Sequence, residues 1–551
     1  MRRLALATAA VMAAVFVCLL ATLPPAPRRT SGAVEQNVVR RTVAGAIHVH
    51  TTRSDGSEDA PAIAAAAARA GLQFVVLTDH GDATRPPDPP AYRNGVLIID
   101  AVEISTNGGH YIALDMPAAP YPLGGEAAAV VEDVRRLGGL GIVAHPDSPK
   151  PELQWKDWTL GVDGVEWLNL DSEWRDESRA RLVRVPFDYL FRKAPALASL
   201  LDRPVRTLER WDSLAAASNV IGLAGLDAHG GALEGGASGI SILPSYEASF
   251  RTFSVRALLR APPSGDAVRD ARALLDAIRA GRVFSTIDAI AAPANVDFSL
   301  SRAGRRWEMG DTVDADGGGT LTVRTTMPEL ARVMLLKDGR AVAESSESSL
   351  EAPVTEPGAY RVEVHTNRAP GTPPVPWLVT NPIYVRGAVA ESARPEPVYT
   401  SVAVLAEPGS VEKDPRSTAS VISTDGRRRF EYTLAAGART SQYAALSVPV
   451  AAGSLAFDSV SFEGRAAGPM RVSVQLRFSD GARWIHSVYL SGEERRVVVP
   501  LDRLLPAEPP STRPDFRAAA SVLFVVDLTN ARPGQAGRFE IASLALTTSR
   551  R

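Results

Sequence analysis

Near residue 293 the pattern of apolar residues changes character, and that change limits the folds open to this chain more than any other feature. Upstream, short apolar runs alternate with helical segments. Residues 44–50 predict a buried strand, 60–70 an Ala-rich helix that stops before Gly71, and 73–80 ("QFVVLTDH") a second strand. Segments 96–105, 110–116, 141–145 and 164–168 continue the strands, with 126–137 helical between them. The last clear strand is 221–229 ("IGLAGLDAH"), and a helix over 267–279 closes the region. Such alternation predicts a parallel α/β barrel or a doubly wound sheet. Downstream there are only strands. "ANVDFSL", "GTLTVRT", "ARVMLLKDG", "YRVEVHT" and "NPIYVR" fit an immunoglobulin-like sandwich over 293–387. After a Pro/Glu/Ala/Arg stretch near 388–397, taken as a linker, "MRVSVQLRFSDG", "SVLFVVDLTN" and "RFEIASLALT" fit a jelly-roll-like β domain over 398–551.

A chain of 551 residues with 45% apolar and 22% charged residues has material for several cores. A formal net charge of −2 gives no signal for nucleic acid. Arg2 and Arg3 precede an unbroken apolar run over 4–23, which Pro24, Pro25 and Pro27 end. As a helix that run is about 30 Å long, enough to cross a bilayer. Residues 1–30 therefore predict a signal peptide or an N-terminal membrane anchor, and an exported protein, periplasmic or extracellular, held at the inner membrane if the segment stays. The sole cysteine, Cys18, lies inside the run, so the rest of the chain has neither disulfides nor thiolate metal ligands.

The histidines carry the chemistry. Six of the eight fall in the α/β region, His48, His50, His80, His110, His145 and His229, each at or just past a predicted strand end. In a parallel barrel those ends converge on one face. His48-Val49-His50 places two imidazoles on one side of a strand, because side chains alternate with period two. Asp227-Ala228-His229 repeats the spacing with a carboxylate. Asp55, Asp79 and Glu103 lie between, and Asp79 is read as structural because His80 beside it takes the ligand place. Imidazoles with carboxylates suit Zn, Mn or Fe, and a carboxylate such as Glu103 can bridge two ions. One HxH pair says little; six histidines and three acids in this arrangement predict a multinuclear centre. His365 and His486 sit in all-β strands without an acidic partner pattern and are left out of it.

In order along the chain, "HVHTTRSDGS", "LTDHG", "EIST" followed by "GH", "AHPD" and "GLDAH" resemble the polymerase and histidinol phosphatase (PHP) superfamily of metallohydrolases. The resemblance covers residues 43–290. It implies a distorted (β/α)7 barrel with two or three divalent ions. Position by position, it implies His48, His50, Glu103 and Asp227 around one ion; Glu103, His110 and His145 around a second; and Asp55, His80 and His229 around a third. The activity so implied is hydrolysis of a phosphomonoester or phosphodiester, in a small molecule or a polymer. Its nucleophile is a metal-bridging hydroxide held by Glu103, His48, His50 and Asp227. Arg53 and Glu166 are candidate substrate contacts, Glu166 also a candidate support for a ligand. Trp155, Trp158, Trp167, Trp174 and Trp211 crowd the stretch between His145 and Asp227, as a pocket wall or as helix packing. Hydrolysis of carboxylic or carbamic esters fits the same centre. So does an envelope carbohydrate-binding protein with a structural metal site, because the C-terminal domain resembles galactose-binding jelly rolls. An amidohydrolase-type barrel also opens with HxH, but Lys150, Lys156 and Lys193 all lie off the strand ends where its bridging lysine would stand.

Overall fold

The computed structural model describes residues 2–231, 244–387, 397–451, 456–508 and 512–550. Almost all of the expected linker near 388–397 lies outside them. The chain forms a mixed α/β region followed by β-sandwich sheets, divided into two compact units. One comprises residues up to 81, 87–117 and 134–387; the other comprises 82–86, 118–133 and the residues from 397 on. The 20 residues Arg2–Ala21 form helix α1. Among the described residues no helix is long and apolar enough to cross a membrane.

In the first unit, β1 (Thr42–Val49) pairs in parallel with β2 (Phe74–Leu77), and β2 with β3 (Val96–Asp100). Between β1 and β2 runs α2 (Ala60–Ala70). The Asp59 carboxylate accepts from the Ala62 amide at its start, and Gly71, at φ 82°, ends it in the left-handed conformation. The predicted strand 96–105 is two strands. It breaks at Ala101, and β4 (Val102–Thr106) turns into an antiparallel hairpin with β5 (Gly109–Leu114). A second sheet runs β4–β5–β6–β7–β8, where β6 is Leu140–Val143, β7 Gly164–Asn169 and β8 Ile221–Gly225. Only β6–β7 and β7–β8 are parallel in it, so the expectation of an all-parallel sheet fails at the hairpin. Isolated bridges, Val49 to Ala228 and His80 to Glu103, link the two sheets. Ile47, Val76, Ile99, Ile112, Ile142 and Leu223 share one buried apolar cluster.

The region 293–387 is not separate from the α/β region. β1 pairs with β9 (Ser254–Leu258), β9 with β10 (Val283–Thr286), and β10 with Leu378–Thr380, so one sheet runs through both. Hydrogen bonds from the Asn381 side chain to Gly222 and Val283, and from Tyr384 Oη to Val220, fasten the join. Strands between residues 296 and 353 also form a separate four-stranded sheet.

The second unit has two six-stranded sheets around an apolar core that includes Phe430, Phe462, Phe524 and Phe539. Residues 118–133, expected within the α/β region, belong to this unit for an electrostatic reason. The buried Arg471 guanidinium meets both Asp133 oxygens at 2.8 Å and Glu132 at 2.8 Å, and His486 meets Glu126 at 3.1 Å. A buried guanidinium needs its carboxylate partners, and these stand nearly 340 residues upstream.

Candidate metal centre

Glu103 is the hub. It is fully buried, and its two oxygens face different histidines. Oε1 lies 2.8 Å from His110 Nδ1 and 2.9 Å from His145 Nε2. Oε2 lies 3.1 Å from His48 Nε2, 3.2 Å from His50 Nε2 and 3.3 Å from His80 Nδ1. Asp227 Oδ1 is 3.1 Å from both His48 Nε2 and His50 Nε2. Asp55 joins from the open side, 3.3 Å from His229 Nε2 and 3.6 Å from His80 Nε2.

Three sets of donors have ligand atoms within 4.8 Å of one another: His48, His50, Glu103 and Asp227; His50, Asp55, His80 and His229; and His80, Glu103 and His110. The first is the set the family resemblance implies. The other two differ from it, because His50 joins the Asp55 group and His80 stands beside Glu103 and His110, with His145 approaching through Glu103 Oε1 alone.

Two observations test whether this arrangement suits ions. Oxygen and nitrogen atoms about 3.4 Å apart are what bonds of about 2.1 Å to a tetrahedral ion require, and the separations around His48 and His50 are close to that. Moreover, Glu103 Oε2 and Asp227 Oδ1 crowd His50 Nε2 without hydrogen-bond alignment, so that buried nitrogen has no hydrogen-bond partner. Its neighbours share a focus with it rather than bonding to it. The donor set fits divalent ions.

The backbone is bent to serve this focus. His48, His145 and Asp227 all have left-handed φ, at 66°, 29° and 48°, a conformation that costs a side-chain-bearing residue free energy and clusters at functional sites. At His48 the register of β1 against β2 shifts between Ile47 and Val49. The two imidazoles of the HxH pair thus converge through a bulge, not through the simple alternation that the sequence suggested; their ring centroids are 5.2 Å apart.

Burial opposes a proton on His48, but the charges of Asp227, Glu166 and Glu103 outweigh it and raise its pKa well above the ordinary imidazole value. Burial likewise opposes protonation of His50, and its contacts with Asp227 and Glu103 still push it up to about 9. Glu103 is the reverse case. Burial favours its neutral form, yet the charge of His48 and hydrogen bonds from His110, His145 and His48 hold it well below the usual carboxylate range.

Glu166 is buried and turned to His48, with Oε1 2.7 Å from Nδ1. Its Oε2 accepts from the His145 amide at 2.7 Å and from Asn169 Nδ2 at 2.9 Å. Glu166, read from the sequence as a candidate substrate contact or a support for a ligand, is bonded to His48 behind the cluster and does not line the cavity beside it. Any Cβ on Gly225 would lie 1.7 Å from Glu166 Oε1, so the glycine before Leu226-Asp227 makes room for it. Arg53, the other substrate candidate, is paired with Asp88 and, at 3.3 Å, with Asp100. Asp79 does have the structural role expected of it, accepting from the Thr51 amide at 2.7 Å and from the Ser54 hydroxyl at 2.8 Å, which sets the loop that carries Asp55. Sequence reasoning missed Tyr246, whose hydroxyl lies 2.7 Å from His50 O and 2.8 Å from His229 O and ties the first ligand segment to the last.

A cavity of about 310 Å³ opens beside Asp55, Asp227 and His229 and is walled by Asp171, Trp174 and Arg175. Of the five tryptophans considered as a pocket wall, only Trp174 lines it; Trp155, Trp167 and Trp211 are buried in packing. His365 and His486 do have acidic partners, Glu363 at 2.7 Å and Glu126 at 3.1 Å, and neither histidine belongs to the three donor sets.

No family model matches this chain. An uncharacterized protein of Methanocaldococcus jannaschii is 28% identical over 137 residues, which cover 22% of this chain and 80% of that protein. Among solved structures, a family 11 carbohydrate-binding module from Clostridium thermocellum, in complex with a mixed-linked tetrasaccharide, is 14% identical; it covers 25% of this chain and 88% of the module, with a TM-score of 0.21. A family 29 carbohydrate-binding module mutant complexed with cellulohexaose is 16% identical over 28% of this chain and 92% of that one, with a TM-score of 0.19.

Proposed function

We propose that residues 43–290 form a PHP-type distorted barrel holding two or three divalent ions, and that the chain is an exported metal-dependent hydrolase of phosphomonoesters or phosphodiesters. The observation that carries the proposal is Glu103, one buried carboxylate whose two oxygens serve separate groups of imidazoles. Bridging of that kind distinguishes a multinuclear centre from isolated sites. Further support comes from the pairing: with the two bridges, strands β1, β2, β4, β5, β6, β7 and β8 make a closed cycle.

His48, His50, Glu103 and Asp227 would hold one ion, and Asp55, His80, His110, His145 and His229 would complete the others. Ions held there supply Lewis acidity, lowering the pKa of water toward neutrality and offsetting charge that builds on an ester in its transition state. The remaining work belongs to the chain. Glu166 Oε1 accepts a hydrogen bond from His48 Nδ1–H, which turns the Nε2 lone pair toward the cluster. Tyr246 and Asp79 fix the loops on which His50, Asp55 and His229 stand. Trp174 gives the adjoining cavity an apolar wall, and Arg175, paired with Asp171, a cation beside it.

The test is elemental analysis of the full chain beside hydrolysis of p-nitrophenyl phosphate, bis-p-nitrophenyl phosphate and p-nitrophenyl acetate. Two to three ions per chain, lost together with phosphoester turnover in His48→Ala/His50→Ala, is the expected result. Less than one ion, unchanged by the substitutions, would overturn the proposal. Turnover of the acetate alone would move the activity to carboxylic esters.

A further inference from the structure

Helix α3 (Arg179–Phe191), in the first unit, turns an apolar stripe outward. Val183 is 81% exposed, Leu190 78% and Phe191 50%, and Pro186 is exposed with them. Positions 179, 183, 186 and 190 follow the spacing of one helical face, so Arg179, Val183, Pro186 and Leu190 lie in a line. Scattered apolar side chains on a surface need no explanation, but an aligned set marks an interaction face.

α1 packs beside this helix: Phe16 and Phe187 meet edge to face with centroids 6.0 Å apart, and Arg184 Nη2 donates to Leu19 O at 2.8 Å. Val11, Met12, Val15 and Val17 of α1 are exposed as well. Cations stand at both ends of the stripe, Arg179 before it and Arg192 and Lys193 after it. The acids nearby are already engaged, since Asp188 pairs with Arg184 at 2.8 Å and Glu177 pairs with Arg181.

We propose that this face docks the protein on an anionic lipid bilayer. Val183, Leu190 and Phe191 sit below the headgroups, and Arg179, Arg192 and Lys193 lie level with the lipid phosphates. The charge pattern favours a bilayer over a second copy of the chain. In a two-fold pairing of the stripe with itself, either helix direction sets one cationic end against another. The docking does not depend on α1 being retained, because the α3 stripe is exposed in its own right.

The test uses the full chain with Cys18→Ser and Leu190→Cys, labelled at position 190 with an environment-sensitive fluorophore. Vesicles of equal phosphatidylcholine and phosphatidylglycerol should shift its emission to the blue and raise it several-fold; phosphatidylcholine alone, or high salt, should do so far less. The same label at Ser218→Cys, on an exposed helix end elsewhere in the unit, should not respond. Val183→Asp/Phe191→Asp should weaken partitioning by about tenfold or more. Vesicle binding with no response at position 190 would assign the contact to α1 alone and overturn the proposal. A blue shift that grows with protein concentration in the absence of vesicles would overturn it in favour of a second copy.

Discussion

Glu103 and Glu363 are both buried carboxylates of the first unit, both held well below the usual carboxylate range, and they are held there by opposite means. Around Glu363 stand permanent cations. Arg361 Nη1 lies at 2.6 Å and Arg203 Nη1 and Nη2 at 2.7 and 3.0 Å, with His365 at 2.7 Å. Asp212 takes the rest of Arg361 at 2.7 and 2.8 Å, so the network closes on itself. Around Glu103 stand only imidazoles. A guanidinium does not release its proton in a protein, whereas an imidazole does so near neutrality. The partners of Glu103 can therefore all give up a proton, whereas the two guanidinium groups that hold Glu363 cannot. The backbone separates them too: Arg361, Glu363 and His365 lie in the regular strand Gly358–Thr366, while three donors of the centre have left-handed φ. Buried charge that completes itself is architecture; buried charge that converges and stays incomplete, on a strained backbone, marks a candidate site.

This contrast can be broken by experiment. The largest effect is expected from Glu103→Gln, which removes the shared charge: ion content should fall below one per chain and phosphoester turnover to background. Full retention of both would end the distinction. Glu363→Gln should do the opposite, lowering stability to denaturant by about 3–5 kcal/mol, as breaking a buried ion pair does, with ion content unchanged. Adding a divalent ion at about 100 times its Kd should stabilise the wild-type chain by about 2.7 kcal/mol per site against heat or denaturant, and leave Glu103→Gln unmoved. Smaller again, Glu166→Gln should weaken ion affinity by about 10- to 100-fold, the range for losing a carboxylate behind a ligand histidine, and an ion titration followed by calorimetry reads it directly.

The finest test is pH. The pKa of His50 in the folded, ion-free chain is raised from 6.5 to about 9. A raised pKa means that its proton stabilises the fold fully below 6.5 and that this contribution is lost as pH rises through 9. Ion-free protein should lose stability across that window. Ion affinity should rise across it, because the ion displaces the proton. An ion affinity flat from pH 6.5 to 9 would remove His50 from the ligand set.

Much of the centre was legible in the sequence. Imidazoles and carboxylates are costly to bury singly, so nine of them in motifs at strand ends already point to one cluster. What stayed hidden was the support behind them. Glu166 lies in an ordinary apolar strand, and nothing local says that its side chain meets His48, 118 residues away. The one trace was Gly225, whose missing side chain leaves space for it. The assignment of 118–133 was illegible for a similar reason: helical periodicity shows which face is buried, but not that Arg471 is what buries it.

By itself, then, the sequence determined the types of elements, the switch from α/β to all-β near residue 293, and the chemical identity of the donors. Those properties are written in local periodicity and side-chain chemistry. Only the tertiary structure decided that Glu103 divides its oxygens between two groups of histidines, that a bulge rather than strand alternation aims His48, and that one sheet joins the α/β region to the strands after 293. Each of these depends on strand order and register, which bring together residues as distant as 48 and 227, and long-range pairing of that kind has no counterpart in the local pattern of the chain.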